Sequence, residues 1–448
     1  MRDTSVVEVN LSAIDRNMRA LRALVGDGCG LCPIVKADAY GLGSARIGRR
    51  LAAAGADLLA VYSPEQAAVL ARAAVGAPIL VLMPLRELTR TDELYRPLVL
   101  GQLHLVVHDL EHLETLIGVA ERFGAVIPVH IEIDTGMSRG GAAPAIVPAM
   151  LERLAATPWL APAGIFTHFS DPQGDLERMA AQLAEFDAVV AAAGAALPES
   201  CVQHVASTYA LLRHRRFHRK MVRFGLAWAG YGADELASAD AIGAAGSSIE
   251  PVVTWSTRLV HVKRIEAGTG VGYGSRWTAP RSSVIGLVPA GYADGYPRVR
   301  DAASGAAQVA VILGARPGRE GADEPRSAGP EELLRCGAGN DLTRRFAPVV
   351  GAVNMDQITI DLTEIAAEFG LGGALDIGTR VELISPDPTA PNHLPRVAAA
   401  AGTIPHEMLC RLSPSLRRVY FSETASFELE VPALREDDHR GGRVASAG

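Results

Sequence analysis

Lysine is nearly absent from this chain of 448 residues. Only Lys36, Lys220 and Lys263 stand among 43 basic residues, and arginine supplies the rest. Lys36 ends an apolar run and opens the segment KADAYGLG. A lysine there commonly caps a strand end, but in a chain that otherwise uses arginine for positive charge, a retained lysine indicates amine chemistry. We interpret Lys36 as a Schiff-base amine, which requires a pKa lowered by burial or by neighbouring cations.

Other absences exclude whole classes of protein. The N-terminus lacks the apolar segment of a secretion signal, and the apolar runs are too short or too rich in proline to span a bilayer. Five scattered cysteines fit a reducing compartment without a disulfide framework, and one CxxC pair, Cys29 and Cys32, is too little for a zinc site. A net charge of -7 argues against nucleic-acid binding. We expect a cytoplasmic protein that binds neither metal, membrane nor nucleic acid.

Short apolar runs alternate with helix-period segments through residues 8–245. The predicted helices are residues 12–25, 44–54, 64–74, 110–123, 144–156, 175–194 and 209–217, and the runs between them are LCPIVK, LLAVYS, ILVLMP, HLVVH, VIPVHIEID, AGIFTHF, CVQHVAS and MVRFGLA. Eight strands with crossover helices predict an α/β fold, a (β/α)8 TIM-type barrel with its active site at the carboxyl ends of the strands. The side chains expected around that mouth are Lys36, Asp134, His168, Ser207 and Arg223.

Residues 246–434 are mostly strand-like, which predicts a separate β-rich C-terminal domain. Residues 1–7 are expected to pair with this domain. Residues 316–344 are polar and rich in glycine and proline, so we expect a loop insertion there. Residues 435–448 are expected to form a flexible tail.

The strand VHIEID carries polar residues on one side. His130, Glu132 and Asp134 alternate with apolar residues, so the polar side chains are expected to face the barrel interior. A buried carboxylate is costly unless it is paired, and Arg139 is the nearest cation in sequence. By the same alternation, a strand extended beyond Lys36 would turn the side chains of Lys36, Asp38 and Tyr40 to one side and bring an amine, a carboxylate and a phenol to the barrel mouth.

Two segments at the end of the barrel suit a phosphate. HVASTY places Ser207 and Thr208 before a helix, where hydroxyls and free backbone N–H groups favour an anion. MVRFGLA places Arg223 at a strand end before Gly225, whose missing side chain lets backbone approach a ligand. Barrels of this type often bind phosphate on their last strands. His168, in GIFTHF, would alone be interpreted as a core histidine.

Tyr273 lies among four glycines in the segment GTGVGYGSRW of the β-rich domain. A tightly turned backbone that presents one phenol fits this pattern, and so does an ordinary hairpin whose phenol packs on the sheet. Composition alone leaves both open.

Seven motifs together resemble one family. VKADAYGLG, DTGMSRGG, GIFTHF, MVRFGLA, GVGYGSRWTA, PAGYADGYPR and VNMDQ occur in the order found in alanine racemases, from about residue 7 to residue 427 without the insertion. The resemblance implies a barrel and a β domain that bind pyridoxal 5'-phosphate and interconvert L-alanine and D-alanine, which supplies D-alanine for peptidoglycan.

The resemblance also assigns residues. It implies that Lys36 holds the cofactor covalently, and that the other cofactor contacts are Tyr40, Arg139, His168, Ser207, Thr208, Arg223, Gly225 and Leu226. Arg223 would face the pyridine nitrogen. Arg139 would also reach the substrate carboxylate, with Met355 as a backbone contact. Lys36 and Tyr273 would be bases on opposite faces of the substrate, with Tyr273 supplied by the partner subunit of a homodimer.

The chain departs from the family pattern in a cluster of positions. Leu42, Ser207, Ala352 and Asn354 replace the usual histidine, asparagine, arginine and cysteine, and Pro414 replaces a tyrosine that binds phosphate and narrows the entrance. These changes predict a wider or more neutral substrate channel.

Glu132 is a chemical departure from the family. It stands where many members carry a carbamylated lysine that holds the key arginine. We hypothesise that Glu132 supplies this negative charge without carbon dioxide and orients Arg139 by a charge-assisted hydrogen bond.

Four other functions fit parts of the sequence. The altered entrance favours a racemase of broader or different amino-acid specificity. A decarboxylase on the same barrel is disfavoured by Tyr273, whose setting suits proton exchange on two faces. A pyridoxal phosphate-binding regulatory protein without turnover is disfavoured because the β domain and the second base are both present. A cofactor-free barrel enzyme fits least.

Overall fold

The structure is a computed structural model that describes residues 5–233, 249–298, 307–313, 342–372, 374–423 and 425–428. The expected boundary between the domains at residues 245 and 246, most of the expected insertion at residues 316–344, and the expected tail at residues 435–448 lie outside the described residues.

Eight parallel strands form the barrel. They are β2 (Gly30–Pro33), β3 (Leu59–Val61), β4 (Ile79–Val81), β5 (Leu103–Val107), β6 (Ile127–Glu132), β7 (Leu160–Phe166), β8 (Val202–His204) and β9 (Met221–Phe224). β3 to β8 make one parallel sheet and β2 pairs with β9. A bridge between Ile34 and Ala60 and the backbone bond from Arg223 to Ala206 join the two pieces. The predicted (β/α)8 barrel is confirmed.

The barrel helices begin where the sequence supplies caps. Asn10, Asp109 and Asp175 each accept a backbone N–H from the first turn of the helix that follows. The helices are Leu11–Val25, Ser44–Ala53, Pro64–Arg72, Tyr95–Val99, Leu110–Phe123, Val147–Ala155, Leu176–Ala193 and Thr208–Arg213. All seven predicted helices are present within a few residues, and Tyr95–Val99 was not predicted.

In its described residues, the β-rich domain is built on a ten-stranded, mostly antiparallel sheet of β1 (Val6–Asn10), β10 (Val253–Arg258), β11 (His261–Ile265), β14 (Ser283–Val288), β15 (Gln308–Leu313), β16 (Thr343–Val350), β17 (Ile358–Asp361), β18 (Arg380–Ile384), β19 (Arg417–Ser422) and β20 (Ala425–Glu428). The strand order across the sheet is β11-β14-β17-β16-β15-β18-β10-β1-β19-β20. β12 (Gly270–Val271) and β13 (Trp277–Thr278) form a small hairpin beside Tyr273. Helices are Thr363–Phe369, Leu394–Ala400 and Pro405–Cys410. The N-terminal strand β1 therefore lies in the second domain's sheet.

Among the residues that the structure describes, one helix meets the length and composition of a membrane span. It is Leu176–Ala193, continued by a short turn to Ala196. In this structure it is a barrel helix, and its Met179, Leu183 and Phe186 are buried in the main core. Its apolar character is accounted for in part by that packing.

Candidate active site

A cavity of about 1040 Å³ opens at the carboxyl ends of the barrel strands. The predicted site residues that line it are Lys36, Tyr40, Arg139, His168, Ser207, Thr208, Arg223 and Gly225. Leu226 is fully buried next to Gly225 and is not among the lining residues described. Residues far apart in the sequence thus converge on one pocket, as the barrel prediction required.

Lys36 enters the cavity from a turn, and the predicted extension of its strand is wrong. β2 ends at Pro33, and Ala37 to Tyr40 have φ angles between 52 and 56°, in the left-handed region. This conformation costs a residue other than glycine roughly 1–2 kcal/mol. Lys36 and Tyr40 both reach the cavity, whereas the Asp38 carboxylate accepts the Ser44 N–H at 2.7 Å.

The Lys36 amine is prepared for nucleophilic chemistry. Burial, and then the positive charge of Arg139, lower the pKa of Lys36 below its ordinary value. A lower pKa increases the fraction of unprotonated amine at neutral pH, and only that form attacks a carbonyl carbon.

One end of the cavity carries the hydroxyl groups of Tyr40, Ser207 and Thr208. Ser207 Oγ is buried and has no hydrogen-bond partner among the described residues. Thr208 Oγ1 accepts the backbone N–H of Gly225 at 3.0 Å. A side chain at Gly225 would overlap the Tyr40 hydroxyl. The arrangement offers several donors to an anion such as a phosphate.

Arg223 forms one wall of the cavity and is 4% exposed. Its terminal nitrogens donate to His204 Nδ1 at 2.7 Å, to the His204 carbonyl at 2.8 Å and to the Thr167 carbonyl at 2.8 Å. In the part of the chain that the structure describes, no carboxylate forms an ion pair with it. Burial lowers the pKa of Arg223 to about 10, so the guanidinium is still a cation at neutral pH.

His168 lines the cavity next to Arg223 as a neutral ring. Its Nδ1 lies 3.4 Å from a terminal nitrogen of Arg223. Burial, followed by the charges of Arg223 and Arg139, lowers the pKa of His168 to about 3. The ring therefore remains uncharged at neutral pH where it lines the cavity.

Two residues that the resemblance assigns to the site lie elsewhere in the single chain, and Asp134, expected around the barrel mouth, is not among the described residues that line the cavity. Tyr273 is 77% exposed and Met355 is 54% exposed, and neither is among the described residues that line the cavity. Both belong to the β-rich domain, near the small hairpin and after β16.

Two family models match this chain. The alanine racemase N-terminal domain matches residues 9–233, and the alanine racemase C-terminal domain matches residues 252–317 and 338–420. The chain belongs to the alanine racemase family. The predicted resemblance is confirmed.

Alanine racemases are also the relatives found by sequence and by structure. The enzyme of Symbiobacterium thermophilum is 32% identical over 93% of this chain and 97% of its own length, and that of Treponema pallidum is 34% identical over 87% and 92%. The solved structure from Streptomyces coelicolor is 28% identical with a TM-score of 0.74, covering 93% of this chain and 98% of that chain.

The expected hydrogen bond between Glu132 and Arg139 is not found among the described residues of this alanine racemase family member. Glu132 Oε2 instead lies 3.2 Å from His108 Nδ1. Burial raises the pKa of Glu132, while the charges of Arg223 and Arg139 oppose that rise. Asp134, also expected to need a cation, accepts three backbone N–H groups of residues 136–138 at 2.9–3.0 Å. Backbone donors satisfy this carboxylate.

Sequence reasoning missed His406. It lines the cavity from the helix Pro405–Cys410, its ring packs edge-on to Tyr40 at 5.6 Å between centroids, and its Nδ1 is buried without a hydrogen-bond partner. Burial, and then Lys36, lower the pKa of His406 to about 4. The segment GTIPHEML carries no signal of this position, because the contact joins residues about 370 apart in the chain.

Proposed function

We propose that the protein is a pyridoxal phosphate-dependent racemase that interconverts L-alanine and D-alanine. The observation that carries this proposal is the Lys36 amine, whose pKa is lowered, in a cavity that has hydroxyl groups at one end and the unneutralised Arg223 on its wall. Alanine racemases that align with 87% and 93% of the chain agree with this chemistry.

The residues present fit the cofactor. Lys36 would hold the aldehyde carbon, and the phosphate would lie among Tyr40, Ser207 and the backbone at Gly225, where Ser207 Oγ is otherwise unpaired. Arg223 would meet the ring nitrogen. When bound, pyridoxal phosphate supplies the electron sink that makes the substrate Cα–H bond acidic.

Arg223 limits the reaction to racemisation in this proposal. A guanidinium has only donors and stays charged, so it does not give the ring nitrogen the full proton that a carboxylic acid would supply. A ring nitrogen left unprotonated withdraws electrons less strongly, which disfavours transamination and other side reactions.

Two bases on opposite faces of the substrate exchange its Cα proton. Lys36 Nζ, released when the substrate amine takes its place, would remove the proton from one face and Tyr273 Oη would return a proton to the other, with the roles reversed for the other enantiomer. Arg139 holds the substrate carboxylate with the backbone of Met355. Since Tyr273 and Met355 are exposed and do not line the cavity of their own chain, we propose that a second copy supplies them in a homodimer.

A panel of amino acids tests the activity. The purified protein with bound pyridoxal phosphate is incubated with L- or D-alanine, serine and lysine, and both enantiomers are measured by chiral chromatography. Alanine should racemise fastest. Faster racemisation of serine or lysine would instead support a broader or different specificity, and no racemisation of any of them would support a protein that binds the cofactor without turnover.

Two variants accompany that panel. Lys36→Ala should remove both activity and the visible absorbance of the covalently held cofactor, whereas Lys263→Ala, at an exposed position, should change neither. We also propose that the protein acts in the cytoplasm and supplies D-alanine for peptidoglycan. Growth without added D-alanine of an auxotroph that expresses the protein tests this role.

A further inference from the structure

Three histidines form a hydrogen-bonded row through the barrel to Arg223. His104 Nδ1 lies 3.0 Å from His130 Nε2, and His130 Nδ1 lies 2.9 Å from His204 Nε2. His204 Nδ1 in turn lies 2.7 Å from a terminal nitrogen of Arg223. The row starts on β5, crosses β6 and β8, and ends on β9 at the cavity wall. We call these three residues the histidine row.

The surrounding barrel is shaped to hold this row. A side chain at Gly164, on β7 between β6 and β8, would overlap the His130 ring. Phe166 stacks on His204 with 4.8 Å between ring centroids, and the Arg223 guanidinium lies 4.7 Å from the centroid of the same Phe166 ring. His130 and His204 are buried. The missing side chain at Gly164 therefore leaves room for the His130 ring, and stacking on Phe166 fixes the position of the His204 ring.

Arg223 determines the direction of every hydrogen bond in the row. A guanidinium has no acceptor, so His204 Nδ1 must accept, and the proton of a neutral His204 is then on Nε2. That Nε2–H donates to His130 Nδ1, which places the proton of His130 on its own Nε2. His130 Nε2–H donates to His104 Nδ1 in the same way. The geometry leaves one consistent set of tautomers.

All three rings are neutral. Burial lowers the pKa of His104 to about 4, and it lowers those of His130 and His204 well below the ordinary value. A second proton on either inner ring would bring two N–H groups face to face across one of these short distances. The ring nitrogens point at one another at hydrogen-bond distance, which also leaves no common point for a metal ion.

We propose that His104 and His130 are positioning residues that act on Arg223 through His204, with every ring of the row locked as its Nε2–H tautomer. The row gives the Arg223 guanidinium a neutral hydrogen-bond acceptor, His204 Nδ1. A carboxylate in that position would instead neutralise the charge of Arg223. Arg223 thus stays fixed in direction and keeps its full charge toward the cavity. The consequence for catalysis rests on the proposed racemase function, whereas the tautomers do not.

Nuclear magnetic resonance of ring nitrogens tests the tautomers directly. The full-length protein with bound cofactor is labelled with ¹⁵N in its histidine rings, and signals are assigned by single variants of the row. The expected result is Nε2–H with an unprotonated Nδ1 at His104, His130 and His204. An Nδ1–H tautomer or a cationic ring at His130 or His204 would overturn the proposal.

A pair of variants at His104 tests the positioning role. His104→Asn keeps an acceptor oxygen near the place of Nδ1, whereas His104→Leu leaves His130 Nε2–H without a partner. We expect His104→Leu to lower kcat for alanine about tenfold with a smaller change in KM, since small misplacements near a reacting centre have effects of at least this size. His104→Asn should restore most of kcat and the parent ring-nitrogen signals of His204.

His112→Leu is the matched control. His112 is fully buried outside the cavity and donates from Nε2 to the Leu85 carbonyl at 3.0 Å, so its loss destabilises the fold without touching the row. It should leave the His204 signals and kcat near parent values. If His104→Leu and His104→Asn both match the parent in kcat and in the His204 signals, the positioning role is wrong. If the parent racemises no amino acid while the tautomers are as expected, the proposed function fails and the row stands.

Discussion

The Tyr40 hydroxyl occupies the space that a side chain at Gly225 would need. Tyr40 belongs to the left-handed turn after β2, and Gly225 follows β9, the strand that pairs with β2. The two residues thus lie where the first and last barrel strands meet, at the end of the cavity that carries the Tyr40 and Ser207 hydroxyls. The proposed phosphate site therefore keeps its shape only if residue 225 has no side chain, because even a methyl group there would displace the Tyr40 hydroxyl.

Gly225→Ala should weaken cofactor binding by displacing Tyr40. Overpacking a fitted site has an energetic cost of about 1–3 kcal/mol, and we expect the dissociation constant for pyridoxal phosphate to rise roughly tenfold or more. Titration of the apoprotein, followed by absorbance, measures it. Gly118→Ala is the control, because a side chain there meets nothing within 4 Å, and its affinity should equal that of the parent.

Arg139→Gln should shift cofactor attachment to higher pH. Arg139 is the second cause, after burial, of the lowered pKa of Lys36, and without this charge the pKa of Lys36 rises. More of the amine is then protonated at a given pH, so Lys36 reacts more slowly with the aldehyde. The rate of attachment is measured between pH 6 and 10. Arg139→Lys keeps the charge, and an equal shift in both variants would contradict the electrostatic explanation.

Mixed dimers should show that Tyr273 acts across the interface. Neither Lys36→Ala nor Tyr273→Phe homodimers should racemise alanine well, with losses of about a hundredfold or more expected for a missing base. Unfolding and refolding the two variants together should restore activity, because a dimer with one chain of each kind has one site with both Lys36 and Tyr273. If Tyr273 acted within its own chain, the mixture would remain as inactive as its components.

The fold should lose stability in mild acid. His168 and His406 have a pKa of about 3 and about 4 in the folded protein, whereas unfolded histidine titrates near its ordinary value of about 6.5. As pH falls below that value, protons bind the unfolded chain and not the folded one. Each such histidine then removes up to ~1.4 kcal/mol of unfolding free energy per pH unit.

Denaturant unfolding at pH 7.5, 6.5 and 5.5 measures this loss. His406→Gln removes one titrating group and should reduce the decrease between pH 6.5 and 5.5. An unchanged pH dependence in that variant would show that His406 is accessible to protons in the folded state.

Activity should not depend on bicarbonate. Glu132 already carries the carboxyl group that a carbamylated lysine would obtain from carbon dioxide, and it lies beside His108 in the cavity wall. Racemisation of alanine in degassed buffer should equal the rate in 10 mM bicarbonate within about twofold. Activation by bicarbonate would mean that another group in the site is carbamylated.

Much of the architecture follows from local pattern. The alternation of apolar runs and helix-period segments predicted eight barrel strands, and the barrel has eight, because periodicity reports which face of each element is buried. The same alternation correctly turned His130 and Glu132 inward. Since the carboxyl ends of parallel strands meet at one face, strand order alone brought Lys36, His168, Ser207 and Arg223 to a common pocket, whereas Asp134, predicted with them, does not line it.

The wrong predictions concern the hydrogen-bond and charge partners of side chains whose positions were predicted. Asp134 was expected to need a cation and is satisfied by backbone N–H groups of its own loop. Glu132 was paired with the cation nearest in sequence, yet its carboxylate lies 3.2 Å from His108 Nδ1, just after the neighbouring strand β5. Distance along the chain is a poor guide once strands from different segments lie side by side.

The amino-acid sequence by itself determined the barrel and the β-rich domain that follows it, and the rarity of lysine pointed to Lys36 as a candidate for amine chemistry. These features could be predicted because periodicity, composition and motif order are properties of local segments. Only the tertiary structure decided the left-handed turn at Tyr40, the contact of His406 with that ring, and the row from His104 to Arg223. The physical reason is that both features depend on tertiary contacts. Packing must offset the conformational energy of a left-handed turn at residues other than glycine, and the hydrogen-bond partners of a buried histidine fix its tautomer.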